Sequence, residues 1–184
     1  MTARQDMRIV HLVDVPEASP TLVQWFVEEW APWYGPDGQG DAEADFAACR
    51  SRDALPICLV ALDGEGGVLG TASLKAESVG AELAPGPWLA AMLVGKAHQG
   101  RGIGTALAGA IEEEARRLGF AAIYTSTDAA EGIMERRGWQ RIGTTVSLRG
   151  DIAVFRRQSS NLCSGQQEKS RQGHSRAAKR VTSS

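Results

Sequence analysis

Apolar and polar positions along the chain switch between a period of two and a period near 3.6, and the switches mark the elements. Residues 7–15 (MRIVHLVDV) alternate and are rich in β-branched types, which predicts a first strand. Glu17-Ala18-Ser19-Pro20 breaks it, and Ser19 or Thr21 can cap a helix over 21–31 with Pro20 in its first turn. Leu22, Trp25, Phe26 and Trp30 keep helical spacing there. Residues 33–40 are a loop by composition, and 41–52 read as a second helix with Phe46 and Cys49 inward and Asp41, Glu43 and Asp45 at its positive end. Residues 55–62 and 68–75 flank the turn Asp63-Gly64-Glu65-Gly66-Gly67 and predict a hairpin. Residues 88–94 (WLAAMLV) are apolar throughout, which predicts a central strand buried on both faces.

Helical spacing returns at 104–118. Ile103, Leu107, Ile111, Ala115 and Leu118 form one stripe, Glu112, Glu113, Arg116 and Arg117 cover the other side, and Gly119 caps the end. Residues 121–127 predict a strand, 129–137 a short helix capped by Asp128 and ended by Gly138, and 139–148 and 151–156 two last strands turned at Arg149-Gly150. The order β-α-α-β-β-β-α-β-α-β-β predicts a mixed α/β domain with one twisted sheet over residues 1–157. From Gln158 the pattern vanishes. Ser, Gln, Lys, Arg and Gly dominate 158–184, which cannot bury enough surface to offset its ordering entropy and is expected to be a disordered or weakly attached tail.

Charge sharpens that division. The formal net charge is −2, but residues 158–184 carry five basic side chains against Glu168, and residues 1–157 carry 15 basic and 21 acidic ones. An acidic domain without a nucleic-acid motif argues against nucleic acid as a partner, whatever the basic tail does. No apolar run reaches the ~18 residues that span a bilayer, and the first ten residues, MTARQDMRIV, hold no signal-peptide core, so a cytoplasmic setting without membrane contact is expected. Cys49, Cys58 and Cys163 match no zinc spacing, and His11, His98 and His174 lie far apart in sequence, so no metal is expected.

The stretch that carries chemistry is Gln99-Gly100-Arg101-Gly102-Ile103-Gly104, set between a strand and a helix. Three glycines in five residues let the backbone turn tightly. The first N–H groups of the new helix lack partners and its dipole is positive there, which suits a phosphate. A short glycine string also occurs as a plain helix-opening turn. A dinucleotide fingerprint would follow the first strand and have an acid ~20 residues on, whereas here four strands precede it and Asp128 is the first acid of the next strand's end. A Walker loop would need a lysine where Gly104-Thr105 has none.

The strand LAAMLVGKAHQ, the segment GRGIGTALAGAIEEEARRLG, the strand AAIYTST and EGIMERRGWQRIG resemble, in order and spacing, the GNAT superfamily of acetyl-CoA-dependent N-acetyltransferases. The resemblance covers residues 7–156 and is densest over 88–143. Gln99-x-x-Gly102-x-Gly104 stands where that family carries its pyrophosphate signature, and Arg136-Arg137-Gly138-Trp139 where it carries a late glycine-aromatic element. The resemblance implies a GNAT-type fold, acetyl-CoA as co-substrate, and direct acetyl transfer to an amine. Its diphosphate would lie on the amides of Gln99, Gly100, Arg101, Gly102, Ile103, Gly104 and Thr105, and its pantetheine arm beside Met92, Leu93 and Val94, whose backbone would also face the acetyl carbonyl. Many members dimerise, so the resemblance admits a homodimer.

That reaction makes demands. An alkyl ammonium with a pKa of ~10.4 must lose a proton before it attacks, so a base or water chain is needed. The tetrahedral oxyanion wants preorganised N–H donors. The strand carboxylate that many members use is absent from 88–94. Glu28 and Glu29 on the first helix, Asp128 after the fifth strand, and a water chain through Ser126 or Thr127 are the candidates; His98 stands one residue before the turn. The tyrosine often found four residues before the late glycine is Met134 here, which cannot donate a proton. A thiol of pKa ~8.5 leaves near neutral pH with little help.

Trp25, Trp30, Trp33, Tyr34 and Phe46 cluster in sequence with Glu28, Glu29, Asp37, Asp41, Glu43 and Asp45. An acidic, aromatic wall would suit a small cationic amine such as an aminoglycoside or polyamine; Trp33, Tyr34, Asp37 and Asp41 are the expected acceptor contacts. The plainer reading makes the aromatics core and the acids surface. Two rival functions stand beside small-amine transfer: protein or peptide N-acetylation, and a non-catalytic acyl-CoA-binding module, which the missing tyrosine and strand carboxylate favour.

Overall fold

A computed structural model describes residues 6–159. Seven strands, β1 (Arg8–His11), β2 (Ile57–Leu62), β3 (Val68–Lys75), β4 (Trp88–Val94), β5 (Ala122–Thr127), β6 (Gln140–Ser147) and β7 (Gly150–Gln158), form one sheet in the order β1-β2-β3-β4-β5-β7-β6. Every neighbouring pair is antiparallel except β4–β5, which is parallel. The parallel pair is joined through α4 (Ile103–Arg117), as a parallel crossover requires. The helices are α1 (Ser19–Glu29), α2 (Ala31–Tyr34), α3 (Ala42–Ala48), α4 (Ile103–Arg117) and α5 (Glu131–Arg136).

The two sheet faces carry separate cores. Ile57, Leu59 and Ala61 of β2 pack toward α4, whose stripe Ile103, Leu107, Ile111 and Ala115 is fully buried with Met134 and Trp139. Their alternates Cys58, Val60 and Leu62 pack toward Leu22, Phe26 and Phe46 of α1 and α3. Phe26 lies at the centre of an aromatic group, with ring centroids 4.8 Å from Trp30, 5.6 Å from Tyr34 and 4.6 Å from Phe46. Each such side chain removed from water contributes about 1.5–3 kcal/mol.

Helix ends follow local chemistry. Asp41 caps α3, its Oδ1 accepting from the Ala44 N–H at 2.9 Å. Gly119 (φ +84°) ends α4: its N–H donates to Arg116 O and that of Phe120 to Ala115 O, each at 3.0 Å. Gly138 (φ +77°) ends α5 in the same way, through Gly138 N to Glu135 O and Trp139 N to Met134 O.

Several expectations are corrected. The first strand stops at His11, because 12–14 and 16–18 turn as 3-10 helix and bury Leu12 and Ala18 against α1. No side chain caps α1; Ser19 is its first residue and Pro20 lies within its first turn. Trp33 and Tyr34 belong to α2 rather than to a loop, and α3 ends at Ala48. Thr127, not Asp128, serves the start of α5: its Oγ1 accepts from the Ala130 N–H at 3.0 Å, and Asp128 is exposed. β7 runs on through Gln158, paired with Ala122, because ladder bonds are made by backbone whatever the side chains. The expected tail is outside the described residues from 160 onward, as is Cys163. Cys49 and Cys58 are free buried thiols, and the neighbouring Cys58 together with burial pushes the Cys49 thiol up.

One ionic hub joins α4, α5 and β7. Glu112 accepts from Arg137 Nε at 2.7 Å and Nη2 at 2.9 Å, from Trp139 Nε1 at 2.8 Å, and lies 3.1 Å from Arg157 Nε. Burial raises the Glu112 carboxyl, but the hydrogen bonds of Arg137 and Trp139 and the charges of Arg137 and Arg157 outweigh it and hold it below its ordinary value.

Candidate active site

β4 is central, but it is not buried on both faces as its composition suggested. Trp88 and Leu89 are buried and Ala90 to Val94 are only half-buried. Two departures from regular pairing cause this. Against β3 the register runs Ser73↔Ala90 and then Thr71↔Leu93, so Ala91 and Met92 stand where β3 supplies Ala72 alone. This bulge holds Ala91 at φ +52°, the one non-glycine with positive φ among the described residues. Against β5 the ladder covers only Trp88↔Tyr124 and Leu89↔Thr125. There Thr125 Oγ1 donates to Leu89 O at 2.8 Å. Beyond that point the two parallel strands part, and the edge of β4 from Ala91 to Val94 faces a gap.

The gap ends at the glycine turn. Gln99 Nε2 donates to Val94 O at 3.3 Å, tying the turn to the strand end. Gly100 (φ +74°) and Gly102 (φ +79°) adopt left-handed conformations, and a Cβ at either would meet no protein atom within 4 Å. Their requirement is therefore conformational. Gly104 differs: its Cβ would stand 3.1 Å from Ile133 Cδ1, so it sets the approach of α5 to α4. The first intrahelical bond of α4 is Ala106 N to Gly102 O, which leaves the N–H groups of Ile103, Gly104 and Thr105 pointing out of a 15-residue helix without a side-chain cap. A diphosphate fits that end by charge and by donor count. Arg101 Nη1 lies 3.3 Å from His98 Nδ1, which brings both side chains beside the turn.

α1 roofs the gap. A Cβ on Gly95 would strike Trp25 Cη2 at 2.5 Å, so the indole rests on the end of β4. One turn on, Glu29 Oε1 accepts from Arg149 Nη2 at 3.2 Å and Nη1 at 3.3 Å. Arg149 is at the tip of the β6–β7 hairpin, beyond the C-terminal end of β5. The Trp25–Glu29 turn therefore crosses from the β4 side of the gap to the β7 side. Sequence spacing gave no sign of this pairing across 120 residues.

The candidate residues separate on this frame. Glu29 is at the gap's mouth, whereas Glu28 is exposed and accepts from Gln24 Nε2 at 2.9 Å. Ser126 is half-buried and alternates with Thr125, on the sheet face that Trp88 and Tyr124 share. Asp128 is exposed past the end of β5. Met134 is fully buried in the core under α4. Of the expected acceptor contacts, Trp33 is 43 % exposed, Asp37 is exposed, and Asp41 is occupied as a cap. Tyr34 donates its hydroxyl to Asp45 Oδ2 at 2.6 Å, and Lys75 Nζ lies 3.1 Å from the same oxygen. Burial and the Asp45 carboxylate push the Tyr34 phenol well above its ordinary value, so it stays protonated and structural. Among the described residues no group of His, Cys, Asp and Glu side chains could hold a metal ion.

Solved structures share this fold. The chain is similar to a GCN5-related N-acetyltransferase from Kribbella flavida (24% identity, TM-score 0.64, 83% of this chain and 97% of that one). It is similar to an aminoglycoside 6'-N-acetyltransferase complexed with coenzyme A (14%, TM-score 0.65, 83% and 97%). It is also similar to yncA from Salmonella typhimurium, solved with its cofactor acetyl-CoA (22%, TM-score 0.62, 85% and 96%). No curated protein sequence matches it. The family model for acetyltransferases of the GNAT family matches residues 21–139, which hold most of α1, the bulged strand and the glycine turn. The chain belongs to the GNAT family of acetyltransferases.

Proposed function

We propose that the protein transfers the acetyl group of acetyl-CoA to a primary amine of a small cationic molecule, directly and without a covalent enzyme intermediate. The observation that carries the reading is the parting of β4 from β5 above Leu89, which opens backbone toward a gap whose far end is the N-terminus of α4. Gln99 to Thr105 would hold the diphosphate, and the edge of β4 over Met92, Leu93 and Val94 would pair with the pantetheine arm. Held there, acetyl-CoA supplies the thioester. The chain supplies position, N–H donors on β4 for the developing oxyanion, and a route for the proton.

A water chain through Ser126 is the route best placed to take that proton, because the Glu29 carboxylate is already engaged by the Arg149 guanidinium. Met134 is core and donates nothing, so the CoA thiolate leaves unassisted, which its pKa of ~8.5 permits. Aminoglycosides are the first acceptors to test, since aminoglycoside 6'-N-acetyltransferases are among the similar structures. No described helix is long and apolar enough to cross a membrane, and we place the reaction in the cytoplasm. A homodimer is part of this reading and is tested by the mass in solution.

The test is thiol release from acetyl-CoA against a panel of cationic and neutral amines. Preferential turnover of cations supports the reading. Equal turnover of neutral amines overturns the cationic acceptor, and tight acetyl-CoA binding without any turnover favours the non-catalytic module that Met134 suggests.

A further inference from the structure

We propose that Arg149 is a built-in competitor for the acceptor: its guanidinium holds the Glu29 carboxylate across the mouth of the gap, and an acceptor enters by displacing it with a cationic group of its own. The inference rests on the amine-transfer reading above and specifies its substrate.

The contact is positioned but weak. At the hairpin tip Ser147 Oγ donates to Gly150 O at 2.9 Å and accepts from the Arg149 N–H at 3.1 Å, so the backbone carrying the guanidinium is held. Gly150, at φ +109°, lets the chain reverse there. The side chains themselves are accessible, with Arg149 45 % and Glu29 31 % exposed. Both guanidinium nitrogens fall on one oxygen, Oε1, at 3.2 and 3.3 Å. A bidentate arginine–carboxylate pair instead uses both oxygens at about 2.7–2.9 Å. Displacement of an exposed pair of this kind changes an affinity about two- to fivefold.

The chemistry then selects the acceptor. The amine that attacks the thioester must be neutral when it does so. A group that replaces Arg149 on Glu29 must be charged. One amine cannot do both, so the preferred acceptor carries a second cationic group apart from the reacting one. A monoamine leaves the Arg149–Glu29 contact in place and enters beneath it.

The experiment compares 1,5-diaminopentane with 1-aminopentane as acceptors for the wild type, Arg149→Ala and Glu29→Gln. The readout is the ratio of kcat/KM for the diamine to that for the monoamine, with acetyl-CoA KM and thermal unfolding as controls. The expected result is a ratio above one in the wild type, about two- to fivefold higher in Arg149→Ala, and near one in Glu29→Gln, with acetyl-CoA KM unchanged. A ratio that stays the same or falls in Arg149→Ala overturns the proposal. A wild type that turns over no amine overturns the transferase reading instead. In that case the same ratio is read from calorimetric binding of the two amines to the CoA-bound protein, and an Arg149→Ala protein that binds the diamine no better than the wild type overturns the competitor.

Discussion

Replacing Glu112 tests whether the α4–α5–β7 hub holds the fold that opens the gap. Glu112→Ala removes a carboxylate that accepts three hydrogen bonds from Arg137 and Trp139 and lies 3.1 Å from Arg157. Hydrogen bonds to a charged group contribute about 1.5–3 kcal/mol each, but these share one acceptor and do not add. Arg137 and Arg157 are 26 % and 31 % exposed, so water reaches them once Glu112 is gone and the loss stays below that of a fully buried pair. The net cost is about 3 kcal/mol, which for a domain this size lowers Tm by roughly 6–12 °C. The pH dependence is the sharper assay. Glu112 is held below its unfolded value of about 4.3. Its contribution is therefore complete above that pH and is lost as the pH falls through the folded value. The gap in Tm between wild type and Glu112→Ala should be widest at neutral pH and close under acid. A gap in Tm that does not narrow as the pH falls below the unfolded value of about 4.3 would refute the reasoning, because protonation in the unfolded chain then removes part of the contribution assigned to the charge.

Further outcomes follow from the site's backbone. Gly102→Ala should lose about 1–2 kcal/mol, divided between stability and acetyl-CoA KM, since φ +79° is the only conflict; Gly104→Ala should cost less, because its Cβ meets the flexible end of Ile133 at 3.1 Å and Val94 at an ordinary 3.7 Å. Ala91→Gly should keep activity and gain up to about 1 kcal/mol in urea unfolding, whereas Ala91→Val should lose 2 kcal/mol or about that and most turnover, as a β-branched residue resists φ +52°. Met134→Tyr should destabilise by about 1–3 kcal/mol through overpacking and leave thiol release within about tenfold; a gain of ~10³ would show that the wild type lacks an acid it needs.

Elements whose causes are local were legible. α4 was readable from its stripe and from Gly119, and the hairpin from its glycine-rich turn, because capping and period act within a few residues. The fourth strand was placed correctly, but its burial was not. A run of apolar residues records what a strand can bury, not where its neighbour leaves, and nothing at Ala91 marks a positive φ. Glu112 was read as solvent face from the helix period, yet residues 25 and more positions away reach back to it. Glu29 and Glu28 were equal candidates until Arg149 and Gln24 distinguished them. Asp128 was a sound cap by residue type, but Thr127 already held the Ala130 N–H.

The site is made where the sheet stops pairing, and two small features of the chain account for that. Thr125 gives its hydroxyl to the Leu89 carbonyl at the last paired position between β4 and β5. The bulge at Ala91 and Met92 then turns β4 out of register with β3 as well. Together they leave β4 backbone exposed in a place that is otherwise core. Exposed strand backbone is a cost unless something extended binds it. In the proposed function an extended amide-bearing arm with a diphosphate at its end would meet both the strand and the helix N-terminus that follows it, and the adjacency of the gap and the glycine turn in sequence suits such a ligand.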